Sequence, residues 1–246
     1  MSTTCHRCGA LATEGTHFCS EQIPFRGTRI YCPNCHAQYV NRFLLWTFLI
    51  NIVFGLFGII RLLLDPLSRI GHVYLNLFLV PSLFWLSVLI HEFAHAIVGN
   101  LAGLKVLKIW IGRGNTFYRA HIFGFDTEFK IIPIGGLTVL AHGLQDKLRS
   151  RSFLAILAGP FMNVMILTLA WRFASWQHFD IGTSIQFVVI TFVTQVLILI
   201  ENLSPYRIQT GIGTICTDGL SLFQLLVSKS PDVLNSRSVG EPPFRP

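Results

Sequence analysis

The sequence predicts a mainly α-helical, polytopic membrane protein with about four transmembrane helices, a short C-terminal helix, a small β-hairpin or sheet insertion and a cysteine-rich N-terminal module. Three observations support this fold class. Of the 246 residues 52% are hydrophobic and only 13% are charged, which is unusual for a soluble protein. Four long apolar runs are more than a soluble core of this size needs. Five of the six cysteines lie within the first 35 residues.

Two C-x-x-C pairs organise the predicted N-terminal module, residues 1–42. The pairs are CHRC, with Cys5 and Cys8, and CPNC, with Cys32 and Cys35. Together they supply the four thiolates of a structural zinc site, which can hold together a segment that has almost no core. We therefore expect a zinc-ribbon-like cytoplasmic domain with one structural Zn²⁺. Two alternatives stay open: Cys19 replaces one of the four ligands, or the cysteines form disulfides outside the cell.

The four apolar runs are predicted to cross the bilayer as helices. They are Phe43 to Ile60, Tyr74 to Ile90 with its continuation through the histidines, Phe153 to Trp171, and Thr183 to Ile200. Each is near the roughly 20 residues that a helix needs to cross ~30 Å of hydrocarbon. The membrane domain is expected over residues 43–228, and the Ser- and Pro-rich residues 229–246 are expected to form a disordered tail.

The distribution of charge predicts a topology rather than a nucleic-acid partner. The formal net charge is +7, and eight Lys or Arg lie between residues 98 and 151 against three acidic residues. The positive-inside rule makes this loop cytoplasmic. Counting spans back from it returns the N-terminus to the same side, and the polar first 42 residues contain no apolar signal region. We expect a multi-pass protein in the lipid bilayer, with no nucleic-acid partner and an oligomeric state that the sequence leaves open.

A different pattern follows the second run. The stretches VLKIWIGRG and AHIFGFDTEFKIIPIGG alternate apolar and polar residues between glycines, which predicts two or three β-strands with turns. Unpaired strand edges are very costly in hydrocarbon. We therefore expect this segment at the interface, in a protein-lined cavity, or paired with something extended.

Three ionisable residues interrupt the second span, in LSVLIHEFAHAIVGNL. On a helix His91 and His95 lie one turn apart on one face, with Glu92 beside them. In this H-E-x-x-H pattern two His bind zinc and the Glu acts as a general base. Ionisable residues within a span are costly and usually functional. A histidine pair hydrogen-bonded between helices is the alternative.

A catalytic zinc needs a third protein ligand and an open position for water. The carboxylates near the spans are those of Asp180, Glu201 and Asp218. We favour Asp218, because the neighbouring Gly219 allows a close approach of the backbone.

Four motifs, in a fixed order, resemble the site-2 protease family of intramembrane zinc metalloproteases. They are HEFAH at His91 to His95, PIGG at Pro133 to Gly136, AGPFMN at Ala158 to Asn163, and NLSP at Asn202 to Pro205 with DG at Asp218 and Gly219. The resemblance covers about Tyr74 to Leu226. One departure concerns the last motif: twelve residues separate Pro205 from Asp218, whereas the family commonly places Asp-Gly a few residues beyond the Pro.

The resemblance implies a role for each matching residue. His91, His95 and Asp218 would ligate a catalytic Zn²⁺, and Glu92 would activate the attacking water. Candidate contacts to the substrate or transition state are Asn163, Asn202, Gly135 and Gly136.

The implied function is a zinc metalloendopeptidase that hydrolyses peptide bonds in or near transmembrane segments of membrane proteins. A single-span protein is the expected substrate, and its backbone must leave the helical conformation before cleavage. An extended substrate can add to the edge of the predicted strands, which we expect around Phe129 to Ile132. Two alternatives are a catalytically inactive membrane scaffold or binding protein, and a metal transporter, which would usually spread its ionisable residues along a path across several spans.

Overall fold

The computed structural model of the chain describes residues 4–11, 19–23, 27–141, 148–173, 180–210 and 213–227. These residues form a mainly helical protein with small sheets, as predicted. Two compact units, Met1–Leu49 and Ile50–Pro246, divide within the first helix. The predicted boundary at residue 42 stays a prediction, and the predicted disordered tail lies outside the described residues. In chain order the elements are β1 (Cys19–Ile23), β2 (Gly27–Tyr31), α1 (Pro33–Leu64), α2 (Arg69–Leu101), β3 (Lys105–Ile122), β4 (Phe125–Ala141), α3 (Leu148–Phe173), α4 (Phe187–Leu203), β5 (Arg207–Thr210), β6 (Gly213–Cys216) and α5 (Asp218–Val227).

The first unit contains a small hairpin and the start of α1. Strands β1 and β2 pair antiparallel, with Cys19 opposite Tyr31. Tyr31 is buried, and its ring stacks on that of Tyr39 at 5.8 Å. Helix α1 begins at Pro33. Proline suits the first helical position because an N–H there would have no intrahelical acceptor, so its absence costs no hydrogen bond. The second C-x-x-C pair therefore extends into the first turn of a helix.

Three helices have the length and composition to cross a membrane. They cover Leu45–Leu64, Arg69–Leu101 and Leu148–Phe173. The fourth predicted span corresponds to α4, which has 17 residues and a length of about 26 Å at ~1.5 Å per residue. The described residues thus contain three long apolar helices and two shorter ones, α4 and α5.

Small residues let α1 and α2 approach closely after a tight turn. The turn contains Pro66, and the side chain of Ser68 accepts a hydrogen bond from the Gly71 amide at 3.3 Å, which caps the start of α2. A Cβ added to Gly58 would lie 2.8 Å from the backbone nitrogen of Leu75. Glycine is therefore required where the two backbones meet.

Helix α2 passes through the centre of the second unit. Every residue from His91 to Ala96 is buried, so the helix is covered on all sides over this turn and a half. Its neighbours are α3, α4, β3 and β4. A core cluster joins this part of α2 to the sheet and contains Phe93, Ala96, Ile109, Ile111 and Phe125. The H-E-x-x-H turn consequently lies where the surrounding elements converge.

Strands β3 and β4 form a long antiparallel hairpin that folds back on itself. Ile109 pairs with both Thr138 and Thr127, and Ile111 pairs with both Gly136 and Phe129. The first part of β3 therefore lies between the two ends of β4. Since Phe129 also pairs with Tyr118, it lies inside the sheet.

This double pairing corrects the expectation that Phe129 begins an exposed edge. Among the described residues, the outer segment beside α2 is the end of β4, Gly136–Ala141, which pairs with β3 on one side only. Residues 116–122 form a second outer segment, but Gly136–Ala141 is the one that contacts Glu92, so a strand added next to the H-E-x-x-H turn would pair there.

Candidate metal centre and active site

Two histidines of α2 and the first residue of α5 bring three ligand atoms together. His91 Nε2 lies 3.0 Å from His95 Nε2 and 3.0 Å from Asp218 Oδ2. His95 Nε2 lies 3.2 Å from the same carboxylate oxygen. The ligands of a tetrahedral zinc with bonds of ~2.1 Å are about 3.4 Å apart. The three atoms therefore need little movement to surround an ion of that size.

The hydrogen bonds behind the two rings decide which ring nitrogens face the ion. His95 Nδ1 lies 2.7 Å from the carbonyl oxygen of Ala155. Only a protonated Nδ1 can donate to a carbonyl, so the neutral ring keeps its lone pair on Nε2. Ligating histidines are commonly oriented in this way.

Asn163 of α3 performs the same task behind His91. Its amide terminus lies 2.9 Å from His91 Nδ1, and the side chain is fully buried. As placed, the amide nitrogen faces the ring and the oxygen Oδ1 has no partner. A half-turn of the amide exchanges the two atoms. Oδ1 then accepts the Nδ1 proton, which satisfies the orphaned oxygen and leaves the Nε2 lone pair free for a metal.

A zinc ion fits this set of donors. Two imidazole lone pairs and a carboxylate oxygen at 3.0–3.2 Å from one another repel unless a proton or a metal ion lies among them. Gly159 of α3 leaves the necessary room. A Cβ added to it would lie 2.6 Å from His91 Nε2 and closer still to His95 Nε2. Two imidazoles and one carboxylate form a ligand set typical of catalytic zinc.

Glu92 lies beside the histidines and faces the end of β4. It is 6% exposed, and its Oε2 lies 2.7 Å from the hydroxyl of Thr138. A Cβ on Gly136 would come within 2.7 Å of Oε1. The carboxylate is therefore in contact with the outer strand of the sheet, one residue along the helix from the first histidine.

The long spacing before Asp218 is accounted for by a closed hairpin. Strands β5 and β6 pair from Arg207 opposite Cys216 onward, and the Thr217 amide donates to the Tyr206 carbonyl at 3.2 Å. The first and last residues of the insertion, Tyr206 and Thr217, are therefore hydrogen-bonded neighbours. Asp218 follows directly and lies next to the histidines despite the twelve intervening residues.

Thr217 and Gly219 hold the start of α5 in place. The Thr217 hydroxyl donates to the Ser204 carbonyl at 2.6 Å, and it accepts from the Leu220 amide at 3.4 Å in the manner of a helix N-cap. A Cβ on Gly219 would overlap the carbonyl oxygen of Leu203. Glycine is therefore necessary for α5 to begin against the end of α4.

The remaining candidate contacts lie at different sides of the centre. Asn202 of α4 has its amide nitrogen 3.5 Å from His91 Nε2, on the ligand side of the ring. Asn163 lies behind that ring. Gly136 contacts Glu92, and Gly135 precedes it with a φ of 72°, a conformation that favours glycine.

In the first unit, Cys5, Cys8, Cys32 and Cys35 form a second group of potential metal ligands. Cys8 Sγ and Cys32 Sγ are 3.7 Å apart, close to the ~3.8 Å between thiolates of a tetrahedral zinc with bonds of about 2.3 Å. Hydrogen bonding from the Cys32 backbone lowers the pKa of the Cys5 thiol to about 6. The hydrogen bond with Cys32 raises the pKa of Cys35 to about 12. A metal ion bound here would displace the thiol protons, because thiolates are the ligating form.

Sequence reasoning did not assign site roles to Gly159, Thr138 or Thr217. Gly159 lies within the AGPFMN motif, so its position was signalled but its contact with the imidazoles was not. A threonine before Asp-Gly and an apolar run is a helix N-cap signal that identifies Thr217. Thr138 has no local signal, since its contact with Glu92 depends on the register of β4.

Apolar helices of membrane-spanning length, an H-E-x-x-H helix and a carboxylate placed as a candidate third ligand are together typical of membrane metallopeptidases. The comparisons with known proteins agree. The chain belongs to Peptidase family M50, whose pattern matches residues 80–224. The protein is accordingly an integral membrane protein of a zinc metalloprotease family.

A curated protein of Chlamydia pneumoniae, named "Putative zinc metalloprotease", is 26% identical over 105 residues. The match covers 34% of this chain and 17% of that protein. The present chain therefore spans about a sixth of the length of the relative that it matches.

Proposed function

We propose that this protein is a zinc-dependent intramembrane endopeptidase that hydrolyses peptide bonds in or near transmembrane segments of membrane proteins. One observation carries the proposal: the ligand atoms of His91, His95 and Asp218 converge within 3.2 Å, and Glu92 lies beside them. His91, Glu92 and His95 are on α2, a helix of the length and composition that cross a membrane, and Asp218 reaches them from the start of α5.

Each residue has a distinct part in the proposed reaction. When bound, zinc polarises the scissile carbonyl and makes water a better nucleophile. Glu92 accepts the proton of the attacking water and passes it to the leaving amine. Asn202, on the ligand side of His91, donates its amide hydrogen to the oxygen on which negative charge develops. Asn163 and the Ala155 carbonyl keep the two imidazoles oriented.

The substrate is proposed to bind as an extended strand along Gly136–Ala141. A transmembrane helix hides its backbone in internal hydrogen bonds, so cleavage requires local unwinding. The outer side of this strand offers backbone donors and acceptors to the unwound segment. Because Gly136 and Thr138 contact Glu92, a strand added here would run past the general base.

The proposed topology follows from the distribution of charge. The basic loop 98–151 is proposed to be cytoplasmic because of the positive-inside rule, and the N-terminal unit is proposed to lie on the same side by counting spans back from that loop. The N-terminal unit is proposed to carry a structural zinc on its four cysteines, since their geometry suits that ion. The substrate is proposed to be a single-span protein.

A cleavage assay with single-span proteins in liposomes tests the proposal. We expect Glu92→Gln to retain zinc and to lose cleavage by at least about a hundredfold, since a general base contributes ~10²–10⁴ to the rate. The matched control is Glu201→Gln, which removes an exposed carboxylate from α4 and should leave cleavage unchanged.

The same assay separates the alternatives. Undiminished cleavage by Glu92→Gln would exclude the proposed mechanism. A wild-type protein that binds zinc but cuts no member of the panel would favour a scaffold. Zinc uptake into the liposomes would favour a transporter.

A further inference from the structure

Thr138 of β4 contacts the proposed general base from the neighbouring sheet. Its hydroxyl lies 2.7 Å from Glu92 Oε2 and 2.9 Å from the main-chain oxygen of the same residue. A hydroxyl has one proton to donate, and a carboxylate oxygen is the stronger acceptor. The shorter of the two distances is the one to the carboxylate. Thr138 therefore binds Oε2.

The two carboxylate oxygens of Glu92 then have different surroundings. Oε2 is bound by Thr138, whereas Oε1 faces the bare Cα of Gly136, where a Cβ would come within 2.7 Å. A glutamate side chain has three rotatable bonds and loses much rotamer freedom when it is held in one place. The hydroxyl on one oxygen and the close backbone at the other select a single orientation of the carboxylate.

We propose that Thr138 is a positioning residue, which binds Oε2 and so holds the Glu92 carboxylate in one orientation beside the histidines, with Oε1 left to accept the proton of the attacking water. This inference rests on the proposed function of Glu92. It adds that β4 both receives the substrate and aligns the general base. The distance between a substrate strand bound along Gly136–Ala141 and the Glu92 carboxylate would then be constant, because both are held by β4.

The main competing role for Thr138 is packing, since it is half-buried and β-branched residues favour strands. Substitution by valine separates the two roles, because valine keeps the branched shape and removes only the hydroxyl. Serine keeps the hydroxyl and loses a methyl group. Thr127→Val is the matched control: Thr127 is a buried threonine of the same strand whose hydroxyl donates to the Phe125 carbonyl.

In the liposome assay we expect Thr138→Val to lower kcat by about 10- to 100-fold, as expected for loss of a charge-assisted hydrogen bond and misplacement of the base. KM and zinc content should stay at wild-type values, Thr138→Ser should restore most of kcat, and Thr127→Val should have no effect. A wild-type kcat in Thr138→Val, a loss that serine does not restore, or a loss of zinc would each overturn the proposal.

A second measurement does not depend on cleavage. The infrared difference between the wild type and Glu92→Gln isolates the stretching bands of the Glu92 carboxylate. We expect these bands to shift in a Thr138→Val background and to return in Thr138→Ser. Unshifted bands would overturn the role of Thr138 even in a protein that cuts no substrate. If the bands shift in a protein that cuts no substrate, the shift supports the contact of Thr138 with Glu92, and the lack of cleavage counts against the proposed protease function.

Discussion

At the residue scale, the orientation of the two imidazole rings depends on hydrogen-bond partners outside the candidate ligand set. Asn163 is fully buried and reaches His91 Nδ1 at 2.9 Å. Without this hydrogen bond, His91 Nδ1 would be a buried polar atom with no partner, which lowers the stability of the fold. The His91 ring would also be free to rotate and would bind zinc less well. The metal centre is therefore built from α2 and α5, but it is oriented by α3.

Replacement of Asn163 by leucine should lower zinc affinity by about 10- to 100-fold, the usual effect of losing a partner of a ligating histidine. Competition with a chelator measures the affinity. The matched control is Gln195→Leu, which removes another fully buried amide whose nitrogen donates to Ser87 instead of a histidine. Equal zinc affinities in both variants and the wild type would contradict the orienting role of Asn163.

At the element scale, an insertion is accommodated without displacing a ligand. The β5–β6 hairpin closes at its base through the Tyr206 and Thr217 backbones, and Thr217 also binds Ser204. Asp218 is thus positioned by the base of the hairpin and by the contact of Gly219 with the end of α4. We therefore expect the position of Asp218 to be independent of the strands beyond the base of the hairpin.

A variant in which an Asn-Gly turn links Tyr206 directly to Thr217 should therefore keep the zinc content and the zinc affinity of the wild type. Thr217→Val, which retains the hairpin but removes the capping hydroxyl, should lower the affinity. Metal analysis and chelator competition test both variants. If the shortened variant loses zinc while Thr217→Val retains it, the hairpin strands rather than its base determine the position of Asp218.

At the scale of the whole molecule, two metal centres are expected in one chain, each in its own compact unit. The cysteine cluster is in the first unit and the His91, His95 and Asp218 group is in the second. The ligands within each group come from distant parts of the sequence, so each metal would stabilise the unit that contains it. The two sites should load independently.

Metal analysis of the purified protein should give two zinc ions per chain. Cys32→Ser and His95→Ala should each reduce this number to one, and the double variant should bind none. Cys19→Ser should keep both ions, because the four clustered cysteines complete a tetrahedral site. A loss of one ion from Cys19→Ser would instead favour Cys19 as a ligand.

Sequence reasoning predicted much of the molecule but not its spatial relations. The apolar runs predicted the helices because length and composition alone determine fitness for a bilayer, although α4, Phe187–Leu203, lies three to four residues later than the predicted run. The pairing of β3 with both ends of β4 was not predictable, since register depends on bulges that shift the partners along the strand. The expected edge at Phe129 was wrong for this reason.

The sequence by itself determined the chemical groups of the two candidate metal sites: a helix with His91 and His95 one turn apart and Glu92 beside them, and cysteine pairs with metal-ligand spacing. Local periodicity is sufficient for that, because residues one turn apart on a helix always share a face. Only the tertiary structure decided that Asp218 completes the first group, that Asn163 lies behind His91, and that Thr138 meets Glu92. These contacts join elements far apart in the chain, and packing, rather than any local pattern, sets their distances.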